Sequence, residues 1–173
     1  MARNIEIKAR IASVEELLPV ARAVTGHEPE LIAQDDSFFA VPRGRLKLRQ
    51  FADGSAELIH YQRADTGDAK ASDYVRVPVP DADGLREALA RACGLAGRVR
   101  KQRWLLLAEQ GGSSTRIHVD RVEGLGDFME LEVVLREGQT DAEGAEVAEA
   151  LMQALGLAGA ERIAGAYLDL LQR

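Results

Sequence analysis

The chain has 173 residues, and its 22 lysines and arginines are outnumbered by 28 aspartates and glutamates, which gives a net charge of −6 at neutral pH. This length is typical of one domain with its own hydrophobic core, and a net acidic chain is not typical of proteins that bind nucleic acid through a basic surface. No apolar run approaches the roughly 20 residues of a membrane helix. The composition therefore predicts a single domain over residues 1–173 with no membrane segment.

The cellular compartment can be predicted from two features. Residues 1–10 alternate charged and aliphatic side chains, which is not the pattern of a secretory signal. The single cysteine, Cys93, has no second thiol with which to form an internal disulfide. We therefore expect a cytoplasmic protein.

The first half of the chain predicts five strands and two helices. Polar and aliphatic residues alternate at 3–11, which is typical of a strand. Ser13 stands three residues before Glu16, the spacing of a helix-capping box, and the apolar stripe that follows predicts a helix at 13–24. Pro19 removes a hydrogen bond from this helix, so we expect a kink or a late start there. The pattern then predicts strands at 32–41, 45–51, 55–63 and 73–79, with an Asp53-Gly54 hairpin turn, and a helix at 81–93 that ends at Gly94.

The second half predicts three more strands and two more helices. The strands lie at 98–107, 114–122 and 127–136, and Gly111-Gly112 is typical of a turn between the first two. Thr140 and Glu143 have capping-box spacing and predict a helix at 140–155, and a last apolar stripe predicts a helix at 160–171. Because most strands are joined by short turns, we expect an α+β fold built on one large antiparallel sheet, open or closed, with peripheral helices.

One face of the predicted strands is unusually rich in charge. Side chains alternate across a strand, so residues two apart share a face. Taken one strand at a time, a face that meets water is the simpler interpretation. Arginine and lysine are nevertheless concentrated there, and such a concentration repels itself unless an anion neutralises it. The nine cations are Lys8, Arg10, Arg45, Lys47, Arg49, Arg63, Lys101, Arg103 and Arg116, and the five carboxylates are Glu6, Glu57, Asp120, Glu130 and Glu132.

The types of residue on this charged face indicate its ligand. Arginine forks and lysine ammonium groups suit phosphate oxygens, whereas carboxylates suit hard cations such as Mg²⁺ and Mn²⁺. A metal–phosphate complex requires both, because the metal bridges the two signs of charge. His118 lies on the same face, where it either contacts the substrate, carries a proton or is a hydrogen-bonded structural residue.

The pattern of these residues along the chain resembles that of the CYTH superfamily, whose members are also called triphosphate tunnel metalloenzymes. The stretch Asn4-Ile5-Glu6-Ile7-Lys8 is similar to the family's Glu-x-Glu-x-Lys signature, with Asn4 in place of the first glutamate. The resemblance covers essentially the whole chain and implies an eight-stranded antiparallel closed β-barrel whose tunnel binds triphosphate. It continues in the family's order through Arg45-Leu46-Lys47-Leu48-Arg49, Arg63, Lys101-Gln102-Arg103, Asp120 and Glu130-Leu131-Glu132.

The resemblance also implies the roles of individual residues. It implies Mg²⁺ or Mn²⁺ held by Glu6, Asp120, Glu130 and Glu132, and catalytic roles for Glu6, Lys8, Glu130 and Glu132. Asn4 brings no charge to the site, so we expect a weaker metal site or fewer metal ions. The residues expected to bind phosphate are Lys8, Arg45, Lys47, Arg49, Arg63, Lys101 and Arg103, together with Arg116 from the same face.

The reaction that the resemblance implies is one of two. The amino-terminal stretch is most similar to bacterial proteins called class IV adenylyl cyclases, which implies conversion of ATP to cyclic AMP and pyrophosphate. The alternative is hydrolysis of tripolyphosphate, thiamine triphosphate or a nucleoside triphosphate. A second alternative, which Asn4 favours, is a module that binds a polyphosphate or nucleotide without turnover. In each case the expected partner is a small triphosphate, with no nucleic acid and no membrane.

Overall fold

The computed structural model describes residues 2–110 and 112–173. Gly111, the first residue of the predicted Gly111-Gly112 turn, lies outside this part of the chain. The strands found within it are β1 (Ala2–Arg10), β2 (Glu30–Phe39), β3 (Arg45–Phe51), β4 (Ala56–Arg63), β5 (Lys70–Pro78), β6 (Leu95–Gln110), β7 (Ser113–Val122) and β8 (Gly126–Val134). They pair antiparallel in the order β1-β5-β4-β3-β2-β6-β7-β8 and close into a barrel, which confirms the predicted fold.

The helices of the described chain are α1 (Val14–Thr25), α2 (Ala82–Cys93), α3 (Asp141–Ala154) and α4 (Tyr167–Leu171). The backbone N–H of Glu16 donates to Oγ of Ser13 over 3.2 Å, and Thr140 with Glu143 forms both hydrogen bonds of a capping box. Since α1 begins ahead of Pro19 and runs through it, the expected late start is wrong. None of these helices is both long and apolar enough to cross a membrane.

The main hydrophobic cluster lies between the outer face of the barrel and the helices. The aliphatic face of β1, including Ile5 and Ile7, packs with Leu17 of α1 and Met152 of α3 in one buried cluster. Strand alternation therefore directs the opposite, charged face into the barrel. The predicted alternative of a charged face that meets bulk water is wrong for most of these residues, because the sheet closes into a barrel and encloses this face.

The carboxyl-terminal segment differs from the prediction. Only Tyr167–Leu171 is helical, so the predicted continuous helix over 160–171 is wrong. The preceding residues bond to β1 instead: the N–H of Ile163 donates to the carbonyl of Lys8, and the N–H of Arg10 donates to the carbonyl of Glu161, each over 2.9 Å. Gly165, with φ of +80°, adopts a left-handed conformation that ends this extended run before α4.

Helix α4 closes one end of the barrel. Tyr167 and Leu168 pack against Phe38 and Phe128 in a second buried cluster. A Cβ atom at Gly97 would lie 2.4 Å from Cδ1 of Leu168, so a glycine lets the helix approach β6 closely. The tunnel of the barrel therefore has α4 across one end, which gives it the form of a cup, and we call the opposite end its mouth.

Candidate active site

The barrel encloses a cavity of about 280 Å³ that is lined by side chains from all eight strands and by Tyr167. Eight cations and five carboxylates of the described chain line it, a surplus of three positive charges within an acidic protein. The cations are Lys8, Lys47, Arg49, Arg63, Arg76, Lys101, Arg103 and Arg116, and the carboxylates are Glu6, Asp36, Glu57, Glu130 and Glu132.

Strand register places opposite charges side by side in this cavity. Lys8 of β1 lies opposite Glu130 of β8, and their Nζ and Oε2 atoms are 3.4 Å apart. Arg103 of β6 lies opposite Asp120 of β7. Directly opposite residues on one face of a sheet are neighbours, so the sequence alternation and the register together build these pairs.

The closed end of the cavity is organised around Asp120. This carboxylate is fully buried and accepts two hydrogen bonds of 2.7 Å from Arg103, one of 3.1 Å from Lys101 and one of 3.0 Å from the hydroxyl of Tyr167. Burial opposes ionisation of Asp120, but Arg103 and Lys101 outweigh it and hold its pKa well below the ordinary value. Burial and the neighbouring Arg103 lower the pKa of Lys101 to about 7.

The ring of Tyr167 contacts two lysines at the closed end of the cavity, and we call this ring the floor of the cavity. Nζ of Lys8 lies 4.1 Å from the ring centroid and Nζ of Lys101 lies 4.9 Å from it. The carbonyl of Gly165 accepts hydrogen bonds from Arg63 over 3.0 Å and from Lys8 over 3.4 Å. The carboxyl-terminal segment therefore fixes the position of cations that belong to the barrel.

A second ion-pair group lies on β2 and β3. Asp36 accepts two hydrogen bonds of 2.7 Å from Arg49 and lies 3.0 Å from Nζ of Lys47. Burial opposes ionisation of Asp36, but the charges of Arg49 and Lys47 outweigh this effect. The pKa of Asp36 is therefore below its ordinary value. Burial and the charge of Arg49 lower the pKa of Lys47 to about 8. These pairs hold the cations in fixed positions that face the cavity.

A candidate metal centre is formed by His118, Glu130 and Glu132, whose ligand atoms all lie within 4.8 Å of one another. Nδ1 of His118 is buried without a hydrogen-bond partner and lies 3.8 Å from a Glu132 oxygen. Burial and Arg103 lower the pKa of His118 well below its ordinary value, which favours the neutral imidazole that binds metals. One imidazole and two carboxylates fit Mn²⁺, whereas Mg²⁺ would be held by the two carboxylates alone because it takes oxygen ligands.

The electrostatics of the two glutamates also fit a cation. Burial, with the charges of Glu130 and Glu6, raises the pKa of Glu132. Burial opposes ionisation of Glu130 as well, but Lys8 and Arg103 outweigh it and hold its pKa well below the ordinary value. The carboxylates thus repel one another across the cavity, and a divalent cation between them would relieve this repulsion.

Two residues of the amino-terminal motif flank the candidate metal centre. Glu6 lies opposite Glu132 in the sheet and pairs with Arg63. Asn4 is buried, and its Oδ1 atom has no hydrogen-bond partner. An unpartnered buried oxygen is costly, so this amide is an available neutral ligand on the same strand.

Most of the predicted site residues meet in the cavity, but three predicted members of the charged face do not line it. Arg45 pairs with Asp65 and with Asp169 of α4 beside the closed end. Arg10 is exposed and lies over the ring of Phe128. Asp120 lies behind the lining in its ion pairs. The members of the predicted charged face that line the cavity are Glu6, Lys8, Lys47, Arg49, Glu57, Arg63, Lys101, Arg103, Arg116, Glu130 and Glu132.

The sequence analysis did not identify several residues of the cavity. Asp36 shares a strand face with Phe38, so alternation alone could have indicated it. Ser72 was missed because β5 begins at Lys70 rather than at the predicted residue 73. No sequence signal indicated Tyr167, because its position depends on how the carboxyl-terminal segment folds back under the barrel.

The fold matches several solved structures over almost its whole length. A conserved hypothetical protein from Pyrococcus furiosus matches with a TM-score of 0.81 and 25% identity over 96% of this chain and 99% of that one. The PH1012 protein from Pyrococcus horikoshii OT3 matches with a TM-score of 0.79 and 23% identity, covering 96% and 98%. A "putative adenylate cyclase" from Vibrio parahaemolyticus matches with a TM-score of 0.78 and 20% identity, covering 98% of both chains.

The family assignment comes from a comparison of the sequence with family models. No curated protein sequence matches the chain. The model of the CYTH domain matches residues 2–167, which include the whole barrel, the candidate metal centre and Tyr167. The chain therefore belongs to the CYTH domain family.

Proposed function

We propose that this protein binds ATP with a divalent cation in the barrel and converts it to cyclic AMP and pyrophosphate. The observation that carries the proposal is a cup-shaped cavity with a surplus of cations beside an imidazole–carboxylate cluster. CYTH proteins are generally enzymes, either adenylyl cyclases or triphosphatases. The structural neighbour from Vibrio parahaemolyticus supports the cyclase assignment.

The cations of the cavity would bind the phosphate chain. Arg49 and Arg103 are held by two hydrogen bonds each to Asp36 and Asp120, so their positions are set before the ligand arrives. Donors fixed in this way stabilise developing charge without reorganising during the reaction. We assign the same role to Lys8, Lys47, Arg63, Lys101 and Arg116.

The metal would be held by His118, Glu130 and Glu132, with Glu6 and Asn4 beside them. A divalent cation there supplies Lewis-acid neutralisation of charge on phosphate oxygens. Metal and protein cations therefore act on the same anion from two sides of the cavity.

The cyclase reaction requires only positioning and charge neutralisation from these residues. The 3′-oxygen of ATP forms a bond to the α-phosphorus, and the bond from this phosphorus to the bridging oxygen of the β-phosphate breaks. The electron pair leaves with pyrophosphate, and the hydroxyl proton passes to water. We place the terminal phosphates toward Lys8 and Lys101 at the closed end, so that the nucleoside lies toward the mouth.

A triphosphatase is the second candidate. Lys8 and Lys101 converge on the floor of the cup, where the terminal phosphate would lie. A water molecule that attacked the terminal phosphorus there would release orthophosphate instead of a cyclic nucleotide.

Product analysis distinguishes these candidates. The purified protein is incubated with ATP or with inorganic tripolyphosphate, in Mg²⁺ or Mn²⁺, and the products are separated by ion-exchange chromatography. We expect cyclic AMP and pyrophosphate from ATP. The triphosphatase would be supported by orthophosphate together with ADP from ATP, or together with pyrophosphate from tripolyphosphate. Tight binding without product would support a binding module, and absence of binding would overturn the whole assignment.

Neighbouring residues on β6 supply a matched control. The side chain of Lys101 is 4% exposed inside the barrel, whereas that of Arg100 is 51% exposed outside it. We expect Lys101→Met to lower turnover on the order of 100-fold, because a fixed phosphate donor is lost. Arg100→Met should leave turnover unchanged, and equal losses in both variants would contradict a site inside the barrel.

A further inference from the structure

Three apolar side chains on neighbouring strands form one wall of the cavity toward its mouth. Ile32, Phe51 and Leu105 line the cavity from the neighbouring strands β2, β3 and β6, and each remains half-buried. Ile32 lies near the opposite end of its strand from Phe38, which packs against α4. The apolar wall therefore stands toward the open end, where it adjoins a cation of the cavity, because Ile32 lies directly opposite Arg103 of β6.

A buried amide adjoins this wall. Gln34 follows Ile32 on the same face of β2, and its direct partner on β3 is Phe51. Gln34 is 7% exposed and lines the cavity, and its Oε1 atom has no hydrogen-bond partner. A buried acceptor left without a donor costs about 1–3 kcal/mol, so a ligand with an N–H group at this place would be stabilised.

We propose that Gln34 and the apolar wall form the subsite for the heterocyclic base of a nucleoside triphosphate. The base lies against Phe51 and Ile32, and the amide of Gln34 contacts its edge. This inference rests on the proposed function, because it assumes that the triphosphate occupies the cations deeper in the same cavity.

The chemistry of the subsite favours a base that carries an amino group. Aromatic and aliphatic side chains bind the flat face of a base, and a glutamine amide can pair with the amino group and ring nitrogen of adenine. The opposite side of the mouth holds Tyr74 and Arg76, with the guanidinium 5.8 Å from the ring centroid. Inorganic tripolyphosphate would leave this apolar wall and the Gln34 acceptor without a partner.

Binding measurements with two ligands test the subsite. Calorimetric titration in Mg²⁺ gives the affinities of ATP and of inorganic tripolyphosphate for wild type, Gln34→Leu and Phe51→Ala. We expect each substitution to weaken ATP binding about tenfold, since a hydrogen bond or a stacked face is lost. The affinity for tripolyphosphate should stay the same, which also shows that each variant is folded.

A change in the ligand tests the amide directly. The triphosphate of purine riboside lacks the amino group of adenosine, so wild type should bind it about tenfold less tightly than ATP. Gln34→Leu should bind the two nucleotides equally. Leu31→Ala is the matched control for the apolar wall, because Leu31 is exposed on the outer face of β2.

The outcomes separate this subsite from the proposed function. Equal losses for ATP and tripolyphosphate in the variants, or unchanged ATP binding, would overturn the subsite while the triphosphate site stands. Wild-type protein that binds neither ligand would overturn the proposed function itself.

Discussion

The hydroxyl of Tyr167 donates a 3.0 Å hydrogen bond to Oδ2 of Asp120, which connects α4 to the ion pairs at the closed end of the barrel. The ring of Tyr167 also packs against Phe128, with centroids 5.0 Å apart. Burial and the charge of Asp120 raise the pKa of Tyr167, so the phenol stays protonated as a donor. One side chain therefore contributes to the core, to the floor of the cavity and to a buried polar network.

Substitutions of Tyr167 should separate its hydroxyl from its ring. Tyr167→Phe removes one hydrogen bond from Asp120 but keeps the ring, so we expect a loss of about 1 kcal/mol in the free energy of unfolding. Tyr167→Ala also removes the buried ring beneath Lys8 and Lys101, and we expect a loss of about 3–5 kcal/mol. Urea denaturation followed by circular dichroism gives both values, and equal losses would contradict a structural role for the ring.

The buried carboxylate at the closed end should matter more for stability than a similar exposed one. Asp120→Ala leaves Arg103 and Lys101 buried without their partner, which should cost about 3–5 kcal/mol. Asp35, on the outer face, pairs with the exposed Arg98, so Asp35→Ala should cost less than about 1 kcal/mol. Similar losses in the two variants, measured by denaturation, would show that the Asp120 ion pairs are not the stabilising interaction.

Divalent metal affinity should depend on Glu132 and on Asn4. Glu132→Gln removes one charged ligand from the candidate centre, so we expect Mn²⁺ binding to weaken at least about tenfold. Asn4→Asp adds a carboxylate beside Glu6 and should tighten Mn²⁺ binding. Electron paramagnetic resonance of free Mn²⁺ measures both changes without any turnover.

Asp120 supplies the control for this metal experiment. Its oxygens already accept hydrogen bonds from Arg103, Lys101 and Tyr167, so Asp120→Asn should alter Mn²⁺ affinity much less than Glu132→Gln. Equal weakening in both variants would instead make Asp120 a metal ligand, as the family resemblance implied.

Triphosphate binding should take up a proton at Lys47. Its pKa is lowered from an ordinary value of 10.5 to about 8, so near pH 8 about half of this group is neutral in the free protein. A bound anion favours the ammonium form and raises the pKa, so affinity should fall as pH rises from about 7 to about 9. Calorimetric titration in two buffers of different ionisation enthalpy counts the proton.

The conservative variant Lys47→Arg isolates this group. Arginine keeps the positive charge but does not titrate in this range. The variant should therefore bind tripolyphosphate with less proton uptake at pH 8 than wild type. The same uptake in both proteins would assign the proton to another group.

The sequence was sufficient to predict those parts of the fold that depend on local patterns. Alternation located the eight strands, and the capping signals at Ser13 and Thr140 located two helix starts. It also placed Glu130 and Glu132 on the charged face, because alternation depends only on position within a strand. Closure of the barrel turned that face inward and brought the predicted residues together.

Other features depend on contacts that local patterns do not encode. Residues 160–171 do carry an apolar stripe, but Ile163 bonds to β1 and only the five residues Tyr167–Leu171 are helical. The strand register decides which carboxylates face the candidate metal centre and which pair with arginines. It places Asp120 opposite Arg103. The unpartnered oxygen of Gln34 could be seen only once the neighbouring strands were in place.

The closure of the barrel by α4 has a kinetic consequence for the proposed reaction. In the described part of the chain, the cup has its floor at Tyr167, so reactants and products share the mouth. With the phosphates deepest, the cyclic nucleotide has to depart before pyrophosphate can follow it. Pyrophosphate should then compete with ATP for the free enzyme, whereas cyclic AMP should inhibit without competing.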